Sequence, residues 1–323
     1  MVPNFDYVRP TSLREVVDLA TRDGFRVHAG GTDLLGCLRD GVFDAHTLVS
    51  LSGLGELRGV TVAPVGALRS GALTTIAEVA NHAEIGRRFR VLAQAAREVA
   101  SPQLRNQGTI GGNLCQKPRC WYYRGDFHCL RKGGETCYAY EGENEYHCIF
   151  GGSSCYYVHP SDPAPALVAL GALVRVAGPG GSRVVPVEAF HVPPTVDPTR
   201  ETVLEPGEIL TEIVVPAPPA GLRSSYRKVR ARRSWDFALA GVALALELEG
   251  RLVRKARVVL AGVAAVPWRA RGAEAALEGH DLDAGTAARA AAAAIEKAEP
   301  LGENGYKLPL VRALVEQELL GLG

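Results

Sequence analysis

The sequence predicts an α+β protein with two or three domains. Its 323 residues, 47% of them hydrophobic, can bury more than one core. The proline-rich stretch VPAPPAG at residues 215–221 is typical of a linker. Beyond it, two segments with strand character precede two with helix character, which is the order expected of an α+β domain of about one hundred residues.

The part ahead of the linker alternates between helical and strand-like segments. An apolar stripe behind the Thr11/Ser12 cap predicts a helix over residues 12–22. A short apolar run covers residues 26–29, ahead of the AGGTDLL segment. After residues 47–51, alternation predicts strands within residues 60–76. Apolar patterns predict helices over 76–82 and 89–99, and a helix followed by a strand over 159–176.

Behind the linker, residues 237–248 and 252–263 predict two strands joined at Gly250. The alanine-rich residues 284–297 and the apolar residues 310–320 predict two helices. These four elements form the expected α+β tail of the chain.

Charge and hydropathy exclude two classes of partner. With 36 basic and 35 acidic residues the net charge is +1, which gives no field for wrapping nucleic acid. The chain contains neither a cleavable apolar leader nor eighteen consecutive apolar residues. We therefore expect a cytoplasmic protein that makes no membrane span.

Six of the seven cysteines lie between Cys115 and Cys155. Thiols persist in a reducing compartment, so a local cluster of this kind indicates metal binding or redox chemistry before it indicates disulfides. The odd number of cysteines also argues against complete pairing. The sequence therefore predicts a metal or redox centre in this segment.

Two glycine-containing turns suggest a phosphate site. In AGGTDLL, Gly30 and Gly31 can adopt positive φ, so that successive N–H groups converge on a phosphate while Thr32 offers a hydroxyl. The turn TIGGN at residues 109–113 repeats the device just before the cysteines. Neither is a Rossmann or P-loop motif, and each alone could be a plain strand-to-helix turn. Together they could clamp a pyrophosphate.

Five motifs then match a known family in order and spacing. They are AGGTDLL, SPQLRNQGTIGGN, HPSDPAPAL, LEPGEIL and YRKVRARRSWDFALAGVAL. The chain resembles the FAD-binding medium subunit of the molybdenum hydroxylases, the family of xanthine dehydrogenase and carbon monoxide dehydrogenase. The resemblance implies a PCMH-type FAD-binding domain at residues 1–220, with subdomains 1–55 and 56–220, and a C-terminal domain at 221–323 with a small antiparallel sheet.

The resemblance also assigns cofactor-binding residues. Those implied for the FAD pyrophosphate and ribityl region are Ala29, Gly30, Gly31, Thr32, Asp33, Leu34, Thr109, Gly111, Gly112 and Asn113. Asp162 would lie near the flavin, Leu210 and Lys228 near the isoalloxazine, and Cys115 in the wall of the site. The positive charge of Lys228 near the isoalloxazine would stabilise anionic reduced flavin. The competing interpretation of Lys228 is a solvent-exposed lysine in a basic run.

An insertion at residues 115–158 departs from most of the family, because 48 positions separate Asn113 from Ser161. Such an insertion resembles the β subunit of 4-hydroxybenzoyl-CoA reductase, which carries an additional [4Fe–4S] cluster. The positions that match its ligands are Cys120, Cys129, Cys137 and Cys155. Zinc is the alternative metal, although the segment lacks paired C-x2-4-C knuckles.

The remaining cysteines allow more than one interpretation. Cys115 and Cys148 could substitute as cluster ligands or could be buried small hydrophobes. Cys37 lies in a predicted helix, far from the insertion in sequence, and is expected to be structural.

The function implied by the resemblance is that of an FAD-binding electron-transfer subunit. Its partners would be a large molybdenum-cofactor subunit, a small subunit with two [2Fe–2S] clusters, and an external one-electron carrier such as ferredoxin. The sequence leaves the substrate and the direction of electron flow open. Two alternatives are a self-contained flavoenzyme of the vanillyl-alcohol oxidase class and a non-catalytic binding module stapled by zinc.

Overall fold

The computed structural model describes residues 2–323, which form three sheets and their covering helices. The first sheet is parallel, with strand order β1-β3-β2. Its strands are β1 (Asp6–Val8), β2 (Phe25–His28) and β3 (Thr47–Ser50), joined through helices α1 (Leu13–Ala20) and α2 (Leu34–Arg39). The predicted first helix is confirmed, and Ser12 caps it by accepting the N–H of Glu15.

The second sheet is antiparallel and has five strands in the order β4-β5-β8-β6-β7. The strands are β4 (Val60–Val62), β5 (Leu68–Gly71), β6 (Leu173–Gly178), β7 (Gly181–Pro186) and β8 (Ile209–Val215). The helices are α3 (Ile76–Asn81), α4 (Ala83–Arg88), α5 (Arg90–Arg97), α6 (Pro102–Gln107), α7 (Ile110–Leu114), α8 (Trp121–Arg124) and α9 (Pro163–Ala169). The helix and strand predicted over residues 159–176 correspond to α9 and β6.

The third sheet is antiparallel in the order β12-β11-β10-β9. Its strands are β9 (Leu222–Val229), β10 (Ala240–Glu249), β11 (Leu252–Ala261) and β12 (Trp268–Arg269), followed by helices α10 (Arg271–Leu277), α11 (Ala284–Ala293) and α12 (Lys307–Leu320). The two predicted strands and two predicted helices are confirmed, although α12 begins earlier than expected. Within residues 2–323 no helix combines the length and hydropathy needed to cross a bilayer.

Strand β10 is buried on both faces, which makes the third sheet the centre of the molecule. Ala243 and Ala245 belong to the core formed with α5 and α9. Val242, Leu244 and Leu246 belong to the core formed with α10, α11 and α12. Because side chains alternate along a strand, small residues face one helical layer and large residues face the other. The two helices α5 and α9 therefore lie between the second and third sheets.

The C-terminal helix α12 fastens the insertion to the third sheet. Lys307 is fully buried (0% exposed). Its Nζ donates to the backbone carbonyls of Tyr146 at 3.1 Å, His147 at 2.9 Å and Gly262 at 2.9 Å. The side-chain amide of Asn304 donates to the carbonyl of His147 at 3.2 Å. This Lys307/Asn304 clasp fixes residues 144–148 of an otherwise irregular segment.

Stability should depend on pH through Lys307. Burial lowers the pKa of its ammonium from 10.5 to about 8. Between these pH values the unfolded chain binds more protons than the folded one, so the contribution of Lys307 to stability rises with pH. We expect the difference in free energy of unfolding, wild type minus Lys307→Met, to increase by about 3 kcal/mol from pH 7.5 to 10.5. Urea titrations at each pH measure it, and a difference independent of pH would contradict the assignment.

Candidate functional site

The two glycine turns lie against each other. A Cβ added to Gly30 would lie 2.0 Å from the carbonyl oxygen of Gln107, so only glycine permits this contact between backbones. Gly31 has φ +71°, as predicted, whereas Gly30 does not have positive φ. The first turn follows the carboxyl end of parallel strand β2, where ligands bind in open α/β sheets. The structure thus brings the two predicted phosphate turns together.

Only the first turn presents free backbone donors. Within residues 2–323, the N–H groups of residues 30–33 donate to no acceptor. The N–H groups of Ile110, Gly111, Gly112 and Asn113 instead bond to Thr74, Ala72 and Thr109. The expectation that both turns offer N–H groups to a phosphate is therefore corrected for the second turn.

The second turn is a short helix whose glycines serve packing. Gly111 and Gly112 do not have positive φ. A Cβ on Gly111 would lie 2.8 Å from the Cβ of Ala72. Thr109 caps α7 by accepting the N–H of Gly112 at 3.1 Å. Asn113 Oδ1 accepts from Ser161 Oγ at 2.5 Å, which leaves the Asn113 amide nitrogen as its remaining donor.

Asp33 connects the first turn to the insertion. Its Oδ1 accepts from Arg124 at 2.7 Å and forms an ion pair with Arg119 at 2.8 Å. Its Oδ2 accepts the backbone N–H of Lys117 at 2.7 Å. The carboxylate of Asp33 is therefore engaged within the protein, and only its backbone N–H remains for a cofactor.

Asp162 and Lys228 form a buried pair. Asp162 accepts from Tyr226 Oη at 2.7 Å and from Lys228 Nζ at 2.9 Å. Burial raises the pKa of Asp162, and the charge of Lys228 opposes that shift. The side chain of Lys228 is 1% exposed, so the interpretation as a solvent-exposed lysine is wrong. Asp162 therefore offsets part of the positive charge that Lys228 would present to a nearby ligand.

Two predicted residues pack in or against the core. Leu210 is buried in β8 opposite Val176. Cys115 is half-buried and packs against the same core, and burial raises the pKa of its thiol to about 12. A thiol of this kind stays protonated at neutral pH, which favours the interpretation of Cys115 as a small hydrophobe. The contact of Leu210 with the flavin stays a prediction.

A cavity of about 170 Å³ lies beside Asp162, between the insertion and the third sheet. Trp121, Tyr146 and Phe237 line this Asp162 cavity with aromatic rings. The ring nitrogens Trp121 Nε1 and His159 Nε2 are buried without a hydrogen-bond partner. Buried polar groups are normally satisfied, so a planar ligand with acceptor atoms suits these walls.

A second cavity is surrounded by the four cysteines predicted as ligands. Those in its wall are Cys120, Cys129, Cys137 and Cys155. All seven cysteines are free thiols. Cys148 lies outside this cysteine cavity, and burial raises its pKa to about 12. Cys37 lies in α2, as predicted, but packs beside Tyr123 in the cluster that includes Cys129.

The pKa values of three of these thiols are shifted. Burial raises the pKa of Cys120 to about 11, and the backbone N–H groups of Tyr122 and Tyr123 oppose that shift. The contact between Cys137 and Cys155 lowers the pKa of Cys137 and raises that of Cys155, so the pair loses its first proton more easily than an isolated thiol would.

A buried cation also faces the cysteine cavity. Arg131 lines it, is 5% exposed, and pairs with the carboxylate of Glu201. Its guanidinium lies 4.5 Å from the ring centroid of Tyr157 and 5.3 Å from that of Tyr123. Within residues 2–323 its Nε is buried and has no hydrogen-bond partner. Glu201 offsets part of the positive charge of Arg131, as Asp162 does for Lys228.

The two cavities share part of their walls. Cys120, His147 and Tyr157 line both. Burial and the charge of Lys307 lower the pKa of His147 to about 4, so its imidazole is neutral at pH 7. Any groups held in the two cavities would be separated by these side chains.

The four predicted ligands are all thiols. Across the described residues, no group of three or more His, Cys, Asp or Glu side chains is arranged to hold one metal ion. The four cysteines instead line one cavity of about 10 Å³. Four thiolates can ligate a cubane, in which each sulfur binds a different iron, and four thiolates can also bind zinc.

Comparison with known proteins identifies the family. A model for the FAD binding domain in molybdopterin dehydrogenase matches residues 3–218, and one for the CO dehydrogenase flavoprotein C-terminal domain matches residues 224–321. The protein therefore belongs to the FAD-binding subunits of the molybdopterin dehydrogenase family and is an oxidoreductase subunit. The predicted family and fold class are confirmed.

Individual relatives agree along the whole chain. It is 37% identical over 314 residues to the aldehyde oxidoreductase FAD-binding subunit PaoB of Escherichia coli K12, with 95% of each chain covered. It is similar to the carbon monoxide dehydrogenase of Hydrogenophaga pseudoflava that lacks the Mo-pyranopterin moiety, with TM-score 0.79, 28% identity, and 100% and 98% of the two chains covered. Quinoline 2-oxidoreductase from Pseudomonas putida 86 gives TM-score 0.78 at 26% identity, with the same coverage.

Sequence reasoning missed Tyr226, Arg131 and Glu201. Tyr226 lies two positions before the predicted Lys228 on β9, so recognising this strand would have placed both side chains on one face. Arg131 lies between two of the predicted ligands, where a buried charge could have been suspected. The ion pair of Arg131 with Glu201 has no local signal, because 70 positions separate the two.

The Asp162 pair gives a prediction for stability. Replacing Asp162 by Asn leaves the buried ammonium of Lys228 without its countercharge, which costs about 3–5 kcal/mol of unfolding free energy. The double variant Asp162→Asn/Lys228→Met should recover much of the loss. Glu84→Gln, which breaks an exposed pair with Arg87, is the control and should leave the unfolding free energy nearly unchanged. Equal urea denaturation midpoints for Asp162→Asn and Glu84→Gln would contradict the assignment.

Proposed function

We propose that this chain is the FAD-binding electron-transfer subunit of a heterooligomeric molybdenum oxidoreductase and that residues 115–158 carry an additional [4Fe–4S] cluster. One observation carries the proposal. The cysteine cavity shares Cys120, His147 and Tyr157 with the cavity beside Asp162. Redox groups held in the two cavities would be separated by these three side chains and could exchange electrons across them.

The first glycine turn supplies the FAD phosphate site. The free N–H groups of residues 30–33 and the exposed hydroxyl of Thr32 would bind the pyrophosphate, with Ala29 and Leu34 at the ends of the turn. Thr109 would act indirectly, since it caps the helix that presents Asn113. When bound, FAD exchanges either one or two electrons and so links one-electron and two-electron partners.

The cluster proposal rests on the chemistry of the donor set. Four cysteine thiols line one cavity, the buried guanidinium of Arg131 lies in the same wall, and the contact with Cys155 lowers the pKa of Cys137. The spacing of eight between Cys129 and Cys137 matches the 4-hydroxybenzoyl-CoA reductase type. The family match supports FAD binding. The [4Fe–4S] cluster and the closer relationship to 4-hydroxybenzoyl-CoA reductase are our proposals.

The proposed partners are the other subunits of a molybdenum hydroxylase and an external electron carrier. A large molybdenum-cofactor subunit would transform the substrate, and a small subunit with two [2Fe–2S] clusters would carry electrons between that site and the flavin. An external one-electron carrier such as ferredoxin would exchange electrons with the complex. The relative from Hydrogenophaga pseudoflava is a carbon monoxide dehydrogenase medium chain, which supports a subunit of a larger assembly. All seven cysteines are free thiols, which supports a protein that functions in a reducing compartment.

Metal and flavin analysis of the purified full-length chain tests the proposal. Iron near four per chain together with a flavin spectrum supports it. Flavin without iron would instead support a flavoenzyme of the vanillyl-alcohol oxidase type. Zinc without flavin would support the stapled binding module. Copurification with a molybdenum-containing subunit tests the proposed assembly.

Removing one ligand should separate the two cofactors. We expect Cys137→Ser to abolish the broad iron–sulfur absorbance while FAD stays bound, because the first glycine turn lies outside the insertion. Cys148→Ser removes a buried thiol that does not line the cysteine cavity and should keep its iron. Iron content and flavin absorbance are measured on each variant. Unchanged iron in Cys137→Ser would overturn the ligand assignment.

The phosphate turn gives a complementary prediction. Gly31→Val should abolish FAD binding, since a β-branched residue resists φ +71° and its Cβ would lie 2.7 Å from Nε2 of His28. Gly41→Val is the control, because Gly41 has φ +64° with open space around it and lies outside the turn. Flavin occupancy after gel filtration measures the result. Equal occupancy in both variants would argue against the pyrophosphate role.

A further inference from the structure

One side chain in the wall between the two cavities contacts a proposed ligand directly. His147 Nε2 lies 3.3 Å from Cys120 Sγ. The other ring nitrogen, Nδ1, is buried and has no hydrogen-bond partner among residues 2–323. His147 therefore makes its one side-chain hydrogen bond to a sulfur.

The contact determines where the imidazole carries its proton. A proton on Nδ1 would be a buried donor without an acceptor, which costs about 1–3 kcal/mol. A proton on Nε2 has the sulfur of Cys120 as its acceptor. The N–H of His147 is thus directed from Nε2 to Sγ.

The ring of His147 is held in this position from two sides. Trp121 packs against it edge to face, with ring centroids 5.5 Å apart. The Lys307/Asn304 clasp binds the backbone carbonyl of the same histidine. An imidazole fixed at both its ring and its backbone keeps its distance to Cys120.

We propose that His147 is a positioning residue that donates a hydrogen bond to Cys120 Sγ and thereby raises the reduction potential of the cluster. The inference rests on the proposed function, namely that Cys120 is a ligand of a [4Fe–4S] cluster. Reduction of that cluster takes up one electron from the donor, without bond cleavage or proton uptake, and adds one negative charge to the iron and sulfur atoms. A donor N–H stabilises the more negative form more strongly.

Removing the donor should lower the potential measurably. For His147→Phe we expect the ratio of reduced to oxidised cluster at a fixed potential to fall about tenfold, which is about 59 mV for one electron. His147→Gln retains a side-chain N–H and should recover part of the shift. His128→Phe is the matched control, because His128 is an exposed histidine beside Cys129 in the same insertion.

Potentiometric titration of the full-length holoprotein, followed by EPR of the reduced cluster, measures these shifts. A lower midpoint in His147→Phe, with partial recovery in His147→Gln and no change in His128→Phe, supports the proposal. A wild-type midpoint in an iron-replete His147→Phe overturns it. Absence of iron from the wild-type protein would refute the proposed function instead, so the two failures are distinguishable.

A second measurement does not require a His147 variant that incorporates the cluster. Protein labelled with 15N-histidine should show weak coupling of one histidine nitrogen to the reduced cluster by pulsed EPR, and His128→Phe should keep it. Wild-type protein that holds the cluster without any histidine coupling would overturn the proposal even if His147→Phe failed to assemble.

Discussion

The carboxylate of Asp33 is the interaction on which both candidate sites depend. It lies at the start of α2, directly after the free N–H groups of the first glycine turn, and binds Arg119, Arg124 and the backbone of Lys117. The residue after Arg119 is Cys120. This partly buried network therefore connects the phosphate turn with the segment that carries the first proposed cluster ligand.

The third sheet adds a second constraint from the opposite side. Asp162 precedes α9, whereas Tyr226 and Lys228 belong to β9, so their hydrogen bonds join the two family-defined parts of the chain. A buried pair of this kind adds little net stability, because desolvation offsets the attraction. Its role is in specificity, since these buried polar groups are satisfied only when Asp162 lies beside Tyr226 and Lys228.

The helices and strands that could be predicted are those whose pattern lies within one short stretch of sequence. The Ser12 cap, the alternation along β10 and β11, and the helical α12 were all visible in the sequence. Strand β9 was missed because LRSSYRKV is largely polar and becomes a strand only beside β10. The four cysteines could be named through the resemblance, but their common cavity and the contact of His147 arise from chain segments that only tertiary packing brings together.

The Lys307/Asn304 clasp sets an order of events during synthesis. Lys307 follows His147 by 160 residues. At about 5–20 residues per second, the ribosome needs on the order of ten seconds or more to add this stretch. During that interval residues 144–148 lack the hydrogen bonds that Lys307 and Asn304 later donate. The insertion therefore reaches its final packing only after the last helix has been synthesised, although its own residues are made much earlier.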